Sequence, residues 1–162
     1  MDIINKTVYK NKWFEIVNKK YTKENKTYYI FNIPDSSVIL PVTKNNEFII
    51  VKQFRESLDD FSLELPAGFI DENETPLISA KRELLEETGY HSNEFEYLGK
   101  GRLMMNRTNS LQHLFVAKNV IKTSNPANGI DVIKIPPKKL NTNSKFIQFT
   151  RHIKLYYFLT NC

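Results

Sequence analysis

The sequence is almost without cysteine: Cys162, the last of its 162 residues, is the only one. One thiol cannot staple a fold through an internal disulfide, and it leaves no cysteine cluster for a metal. Long apolar runs are missing as well. No stretch approaches the length needed to span a bilayer, and the opening MDIINKTVYKNKWF lacks the uninterrupted apolar core of a secretory signal. The expectation is a cytoplasmic protein with no membrane partner. Internal repeats, low-complexity tracts and dividing linkers are also absent. Residues 1–162 are therefore read as a single domain, with an N-terminal β region over about 1–35.

A basic tract is missing too, although positive charge is in excess, with 23 Lys and Arg against 18 Asp and Glu. The lysines are scattered, with only short pairs such as Lys19-Lys20 and Lys138-Lys139. A nucleic-acid arm concentrates its charge, so this spread is read as a solvated surface and no nucleic-acid partner is expected. What is present, 41% hydrophobic and 25% charged residues, suits a soluble globular chain long enough to bury a core.

Short runs rich in β-branched and aromatic residues predict strands at Trp13–Val17, Thr27–Ile33, Ser37–Val42, Glu47–Val51 and Phe61–Leu65. Asn45-Asn46 suits a tight hairpin turn between the third and fourth of these. A helix follows, with Thr75 as N-cap, Pro76 at its first position and Gly89 at its stop. Leu77, Ile78, Leu84 and Leu85 form the expected apolar stripe. Further strands are expected at Phe95–Leu103, Leu111–Ala117 and Ile130–Ile135, and a second helix at Phe146–Leu159. This order implies a mixed sheet with helices packed on its faces, an α/β fold.

Glu83, Glu86 and Glu87 lie at i, i+3 and i+4 of the first helix, so they share one face. Like charges so placed cost a few tenths of a kcal/mol per pair. Such a group is either a solvated acidic face or a site for a hard cation, which takes oxygen ligands.

The surrounding residues separate these readings. From Gly68 the chain runs through five residues to Glu74, seven more to Arg82, then Glu83-Leu84-Leu85-Glu86-Glu87-Thr88-Gly89-Tyr90. This segment resembles the Nudix box at every defined position, with Tyr90 where an aliphatic residue is commoner. The approach to it, SSVILPVTKNNEFIIVKQFRESLDDFSLELPAGFIDENE, is similar to that of the ADP-ribose and nucleotide-sugar pyrophosphatases. The resemblance covers about Trp13 to Ile135 and implies the Nudix α/β/α sandwich with an N-terminal β-strand extension, which in that subgroup often helps to build a homodimer.

The resemblance also implies roles. Glu83 and Glu87 are the main ligands of Mg²⁺ or Mn²⁺, with Glu86 and the carbonyl of Ala67 completing the set. Gly68 and Gly89 make the turns, and Glu74 pairs with Arg82 to hold the loop against the helix. Arg55 is either a candidate to grip the anionic substrate or a surface arginine, and Glu64, which precedes the box on its strand, is a candidate to face the site. Glu86 and Glu87 are candidate catalytic residues, and the substrate is a nucleoside diphosphate joined to another group.

Two stretches depart from the subgroup. The proline often found about sixteen residues after the box is absent, and Met104–Ser110 stands in its place. Asn106 and Arg107 there either line a leaving-group pocket or form a polar turn. In the later loop, where relatives carry acids, only Asp131 remains, so either Asp131 or a helix glutamate serves as general base, or turnover is slow, while His113 reads as a packed or surface residue. Two alternatives to a nucleotide-sugar or ADP-ribose-like substrate stay open: pyrophosphohydrolysis of a noncanonical nucleoside triphosphate, and a non-catalytic nucleotide-sensing module.

Overall fold

The computed structural model describes residues 2–102 and 104–136. The chain begins with three strands, β1 (Ile3–Lys10), β2 (Glu15–Tyr21) and β3 (Lys26–Asn32), paired antiparallel in that order. Asn11 sets the first connection: its side-chain oxygen accepts from the backbone N–H of Trp13 at 2.8 Å and of Phe14 at 2.9 Å. Asn25, at φ 48°, makes the turn into β3. β1 was not among the expected strands, because its residues alternate without a buried face and every one is exposed.

The remainder is a mixed α/β unit. Its elements are β4 (Ser36–Pro41), β5 (Phe48–Arg55), β6 (Asp60–Glu64), β7 (Ala67–Phe69), α1 (Pro76–Thr88), β8 (Tyr90–His91), β9 (Glu94–Gly101), β10 (Gln112–Lys118), β11 (Ile121–Lys122) and β12 (Asp131–Ile135). One sheet has the order β7-β4-β10-β9, a second β12-β5-β6, and β11 pairs with β8. β4 and β10 run parallel and their other neighbours antiparallel, so the larger sheet is mixed, as expected. Among the described residues no helix is long and apolar enough to cross a membrane. The second helix expected at Phe146–Leu159 lies outside the described residues.

Period-2 alternation explains the core. Ile39, Ile49, Phe115 and Ala117 join one buried cluster, which includes Ala80 and Leu84 of α1. Their neighbours Leu40, Phe48 and Val116 join a second with Leu65. β4, β5 and β10 are thus buried on both faces and read as nearly continuous hydrophobic runs.

Two sequence expectations need correction. Asn46 does occupy a left-handed turn (φ 60°), closed by Asn46 N–H to Thr43 O at 2.9 Å. The strands it joins share a single bridge, Val42 to Phe48, and then part into different sheets. β4 pairs with β10 instead, far along the chain. The apolar stripe of α1 also differs: Leu77, Ile78 and Leu85 are exposed, and the buried residues are Ser79, Ala80, Leu84 and Thr88. Small residues at 79 and 80 allow the helix to lie close against the sheet.

Both ends of α1 are closed locally. Thr75 Oγ1 accepts from Ile78 N–H at 3.3 Å, and Gly89 (φ 72°) donates its N–H to Leu85 O at 2.8 Å. The carbonyl of Gly89 accepts from Thr123 and Ser124 at 2.8 and 3.1 Å, so the incoming chain is pressed onto the helix end. A Cβ at residue 89 would stand 2.1 Å from the Ser124 carbonyl oxygen. Gly89→Ala should therefore cost more than the roughly 1–2 kcal/mol of a left-handed L-residue. Urea unfolding should show it as a clear fall in midpoint.

Candidate active site

The site forms where α1 crosses the β7 turn. Leu84 and Thr88 anchor the helix, and Glu83 and Glu87 immediately precede them, which leaves both carboxylates half-buried beside β7. Glu87 Oε2 accepts the backbone N–H of Ala67 at 2.9 Å. The carboxylate of Glu83 lies directly over Gly68, where a Cβ would meet its oxygens and carbon at 2.0 to 2.6 Å. Glycine is required there by the close approach of an acid rather than by backbone conformation.

Arg82 organises the acids. Its Nε and Nη2 donate to Glu74 at 2.9 and 2.8 Å, and its Nη1 donates to Glu83 at 2.6 Å and Glu86 at 3.2 Å. Nη2 also reaches the Phe69 carbonyl at 3.0 Å and stands 3.7 Å from Asp71. The hydrogen bond from Arg82 holds the Glu74 carboxyl down at about 2, and Glu74 in turn raises Arg82 above its ordinary value. Asp71 and the Phe69 carbonyl were missed by sequence reasoning. Asp71 lies inside the box at a position the pattern leaves undefined, and a backbone carbonyl leaves no signal in a sequence.

A second pair stands on the neighbouring sheet. Arg55 grips Glu64 with two parallel hydrogen bonds, Nε at 2.7 Å and Nη2 at 2.5 Å. Gln53 adds a long contact to Glu64 at 3.5 Å. It too was missed, although alternation puts it on the same face as Arg55. Burial alone would raise Glu64, but the hydrogen bonds and charge of Arg55 outweigh it and the group lies below its ordinary value.

The helix acids behave in the opposite way. Burial raises Glu83 against the opposing pull of Arg82. Burial raises Glu87 to about 7, opposed by the Ala67 N–H and reinforced by the charge of Glu83. Among the described residues no three His, Cys, Asp or Glu side chains already stand together as a metal cage. Arg82 draws Glu83 and Glu86 to itself while Glu87 is tied to β7. The donor set nonetheless fits a hard divalent cation: all its ligands are oxygens, and two are desolvated carboxylates whose ionised form a cation would favour.

Three expected residues fall elsewhere. Asp131 pairs in register with Lys52, which pairs with Leu63, whereas Glu64 is opposite Val51 and Val132. Val132 packs against the cluster that contains Leu84 of α1. Alternation thus puts Asp131 on the face of β12-β5-β6 turned away from the helix, and it is exposed. The strand register does not bring it to the helix carboxylates. Arg107 sits in a turn, its N–H donating to Met104 O at 2.9 Å and its carbonyl accepting from Phe31 at 2.7 Å. Asn106, in the same turn, lines a cavity under the N-terminal sheet. His113 is packed, as read, beside the Tyr97 hydroxyl at 3.1 Å.

A family model described as NUDIX domain matches residues 33–154. The chain is 30% identical to a methanol dehydrogenase activator of Bacillus methanolicus, over 76% of this chain and 66% of that protein. It is 32% identical to an ADP-ribose pyrophosphatase of Bacillus subtilis, over 65% and 55%. It is 33% identical to an ADP-sugar pyrophosphatase of Mus musculus, over 74% and 61%. The chain thus spans between half and two thirds of the length of these relatives. A solved structure described as an ADP compounds hydrolase superposes with a TM-score of 0.76 at 17% identity, covering 99% of this chain and 95% of that one, which shows the shared fold.

A carboxyl raised by folding stabilises below its unfolded value of 4.5, and that contribution is lost as pH rises through about 7. In metal-free protein, Glu87→Gln should therefore gain on the wild type in melting temperature between pH 5 and pH 8. The Gln oxygen can still accept from Ala67. Calorimetry of both proteins in chelator checks this, and a constant gap across that range would contradict it.

Proposed function

The chain belongs to the NUDIX family, and from that membership we propose that it hydrolyses the diphosphate of a nucleoside diphosphate joined to a sugar or a similar group. The products are a nucleoside monophosphate and the phosphorylated remainder. The observation that carries this reading is the pair of half-buried carboxylates, Glu83 and Glu87, held against the Ala67-Gly68 turn beside an Arg55 that Glu64 has already oriented. The names of the Bacillus subtilis and mouse relatives support an ADP-ribose or ADP-sugar type of substrate.

In the proposed mechanism Glu83 and Glu87, with the carbonyl of Ala67, would hold Mg²⁺ or Mn²⁺, and Glu86 would reach it directly or through a water. The cation's contribution is to neutralise diphosphate charge and to make a water more acidic. Arg55 commits Nε and Nη2 to Glu64, which leaves Nη1 for a phosphate oxygen. Because Glu64 fixes the guanidinium in advance, little side-chain entropy is lost on binding. Glu86 takes the proton-accepting role considered for Asp131: it is the most exposed of the three helix acids, and a single ion pair of 3.2 Å restrains it. Glu74 and Arg82 act on architecture.

Glu83→Gln and Glu87→Gln should each lower kcat by orders of magnitude with the fold retained, and chelation should abolish turnover. Asp131→Asn should stay within a few-fold of wild type. The assay is nucleoside monophosphate release from a panel of nucleoside diphosphate sugars, ADP-ribose and noncanonical triphosphates. Undiminished hydrolysis in both glutamate variants would sink the proposal. A wild type inert on the whole panel would favour a nucleotide-sensing module.

We further propose a homodimer built on the N-terminal sheet. Ile4, Tyr9, Tyr29 and Phe31 lie on one face of β1-β2-β3 by register, and all are exposed. Exposed apolar groups gathered in this way mark an interaction surface. Light scattering at micromolar concentration should give twice the chain mass, and Tyr29→Glu should halve it.

A further inference from the structure

The segment between β11 and β12 fastens the end of the box helix. The last carbonyls of a helix have no partner within it. Here the N–H of Ala127 donates to Glu86 O at 2.8 Å, and those of Thr123 and Ser124 donate to Gly89 O at 2.8 and 3.1 Å. The chain then turns over Asn128 and Gly129, closed by Ile130 N–H to Ala127 O at 3.3 Å. It enters β12 directly afterwards, with Asp131 opposite Lys52. The turn is thus held at both ends, by α1 on one side and by β5 on the other.

Asn128-Gly129 is the only Asn-Gly pair in the sequence. The turn calls for the glycine, because residue 129 sits at φ 84°, which an L-residue adopts only under strain. The same lack of a side chain leaves the Gly129 nitrogen open to the amide side chain before it, and asparagine is a thermally labile residue. Both residues are exposed. Chain neighbours aside, no heavy atom lies within 4 Å of where a Cβ of Gly129 would stand. Other asparagines are better guarded. Ser110, which follows Asn109, is buried, and its N–H is committed to Thr108 Oγ1 at 3.1 Å. The amide nitrogen of Asn119 donates to both oxygens of Glu94, at 2.9 and 3.0 Å.

We propose that Asn128-Gly129 is a site of spontaneous deamidation, and that its product releases the loop from the end of the box helix. In the first step the Gly129 backbone nitrogen bonds to Cγ of Asn128. Its proton leaves with the side-chain nitrogen as ammonia, and a five-membered imide closes. Water then opens the ring. Attack at Cγ gives an aspartate; attack at the backbone carbonyl gives an isoaspartate, whose main chain runs through the former side chain and is one carbon longer. That carbon falls between Ala127 and Asp131, both anchored, so the turn no longer closes as before. The new carboxylate also adds negative charge beside the C-terminal end of α1, where the helix dipole disfavours it. Both changes weaken the bond from Ala127 to Glu86 O, and with it the seat of the helix end that carries Glu86 and Glu87.

The chemistry needs only water, so it stands apart from the hydrolase reading. The test ages the full chain at mildly alkaline pH and follows each asparagine by peptide mapping with mass spectrometry. Asn128 should convert at least about tenfold faster than Asn109, and Asn128→Gln should leave the position intact. In the aged wild type, hydrogen exchange at the Ala127 amide should quicken severalfold and the thermal midpoint should fall. Asn128→Asp adds the charge without the extra carbon, so it should lose less of that protection than the isoaspartate form. Asn128 still intact once Asn109 has converted would overturn the site. Conversion with Ala127 protection unchanged would overturn the release. An equal loss of protection in aged Asn128→Gln would overturn it as well, since the cause would then lie elsewhere in the chain.

Discussion

A single guanidinium holds the centre of this protein together. Arg82 bonds at once to the box loop, through Glu74 and the Phe69 carbonyl, and to its own helix, through Glu83 and Glu86. Without a cation at that point, Glu83, Glu86 and Glu87 would repel one another on one helix face, and the box loop would lose the tie of Glu74 to the helix. Arg suits the position better than Lys, because five donors in a planar fork can serve several acceptors in fixed directions. The same arrangement sets a condition on metal binding. A divalent cation held as proposed would share Glu83 and Glu86 with Arg82, while Glu74 would remain to neutralise the arginine.

The geometry around that hub places acids in an environment that resists their ionisation. Leu84 and Thr88 are buried, and the adjacent Glu83 and Glu87 are carried into partial burial with them. The Ala67 N–H and the absence of a Cβ at Gly68 make room for both. A bound cation would offset the energetic cost of desolvating these carboxylates. Folding stability and ligand affinity are in this way drawn from the same residues.

The N-terminal sheet separates two tasks by alternation. One face presents Ile4, Tyr9, Tyr29 and Phe31, and the other presents Thr7, Glu15 and Asn32 to a cavity. The short segment around Arg107 and Thr108 connects this sheet to the box unit through the Phe31 bridge.

What the sequence by itself determined is what short-range chemistry encodes. The caps Thr75 and Gly89, the proline at the first helical position, the Glu74–Arg82 pair and the common face of the glutamates all depend on residues within one segment. The mixed character of the sheet followed from the order of elements. Tertiary structure alone decided the rest. β1 has no buried face to betray it, and β4 leaves its sequence neighbour for a parallel partner 76 residues further along the chain (Ser36 opposite Gln112). The buried side of α1 is the small one, because closeness to the sheet outweighs the burial of larger leucines. Asp131 is placed by register, and a shift of one residue would have turned it toward the helix. Glu15 showed no sign in sequence of being a bound acceptor, since its two donors stand eight and seventeen residues away and meet it only when the strands pair.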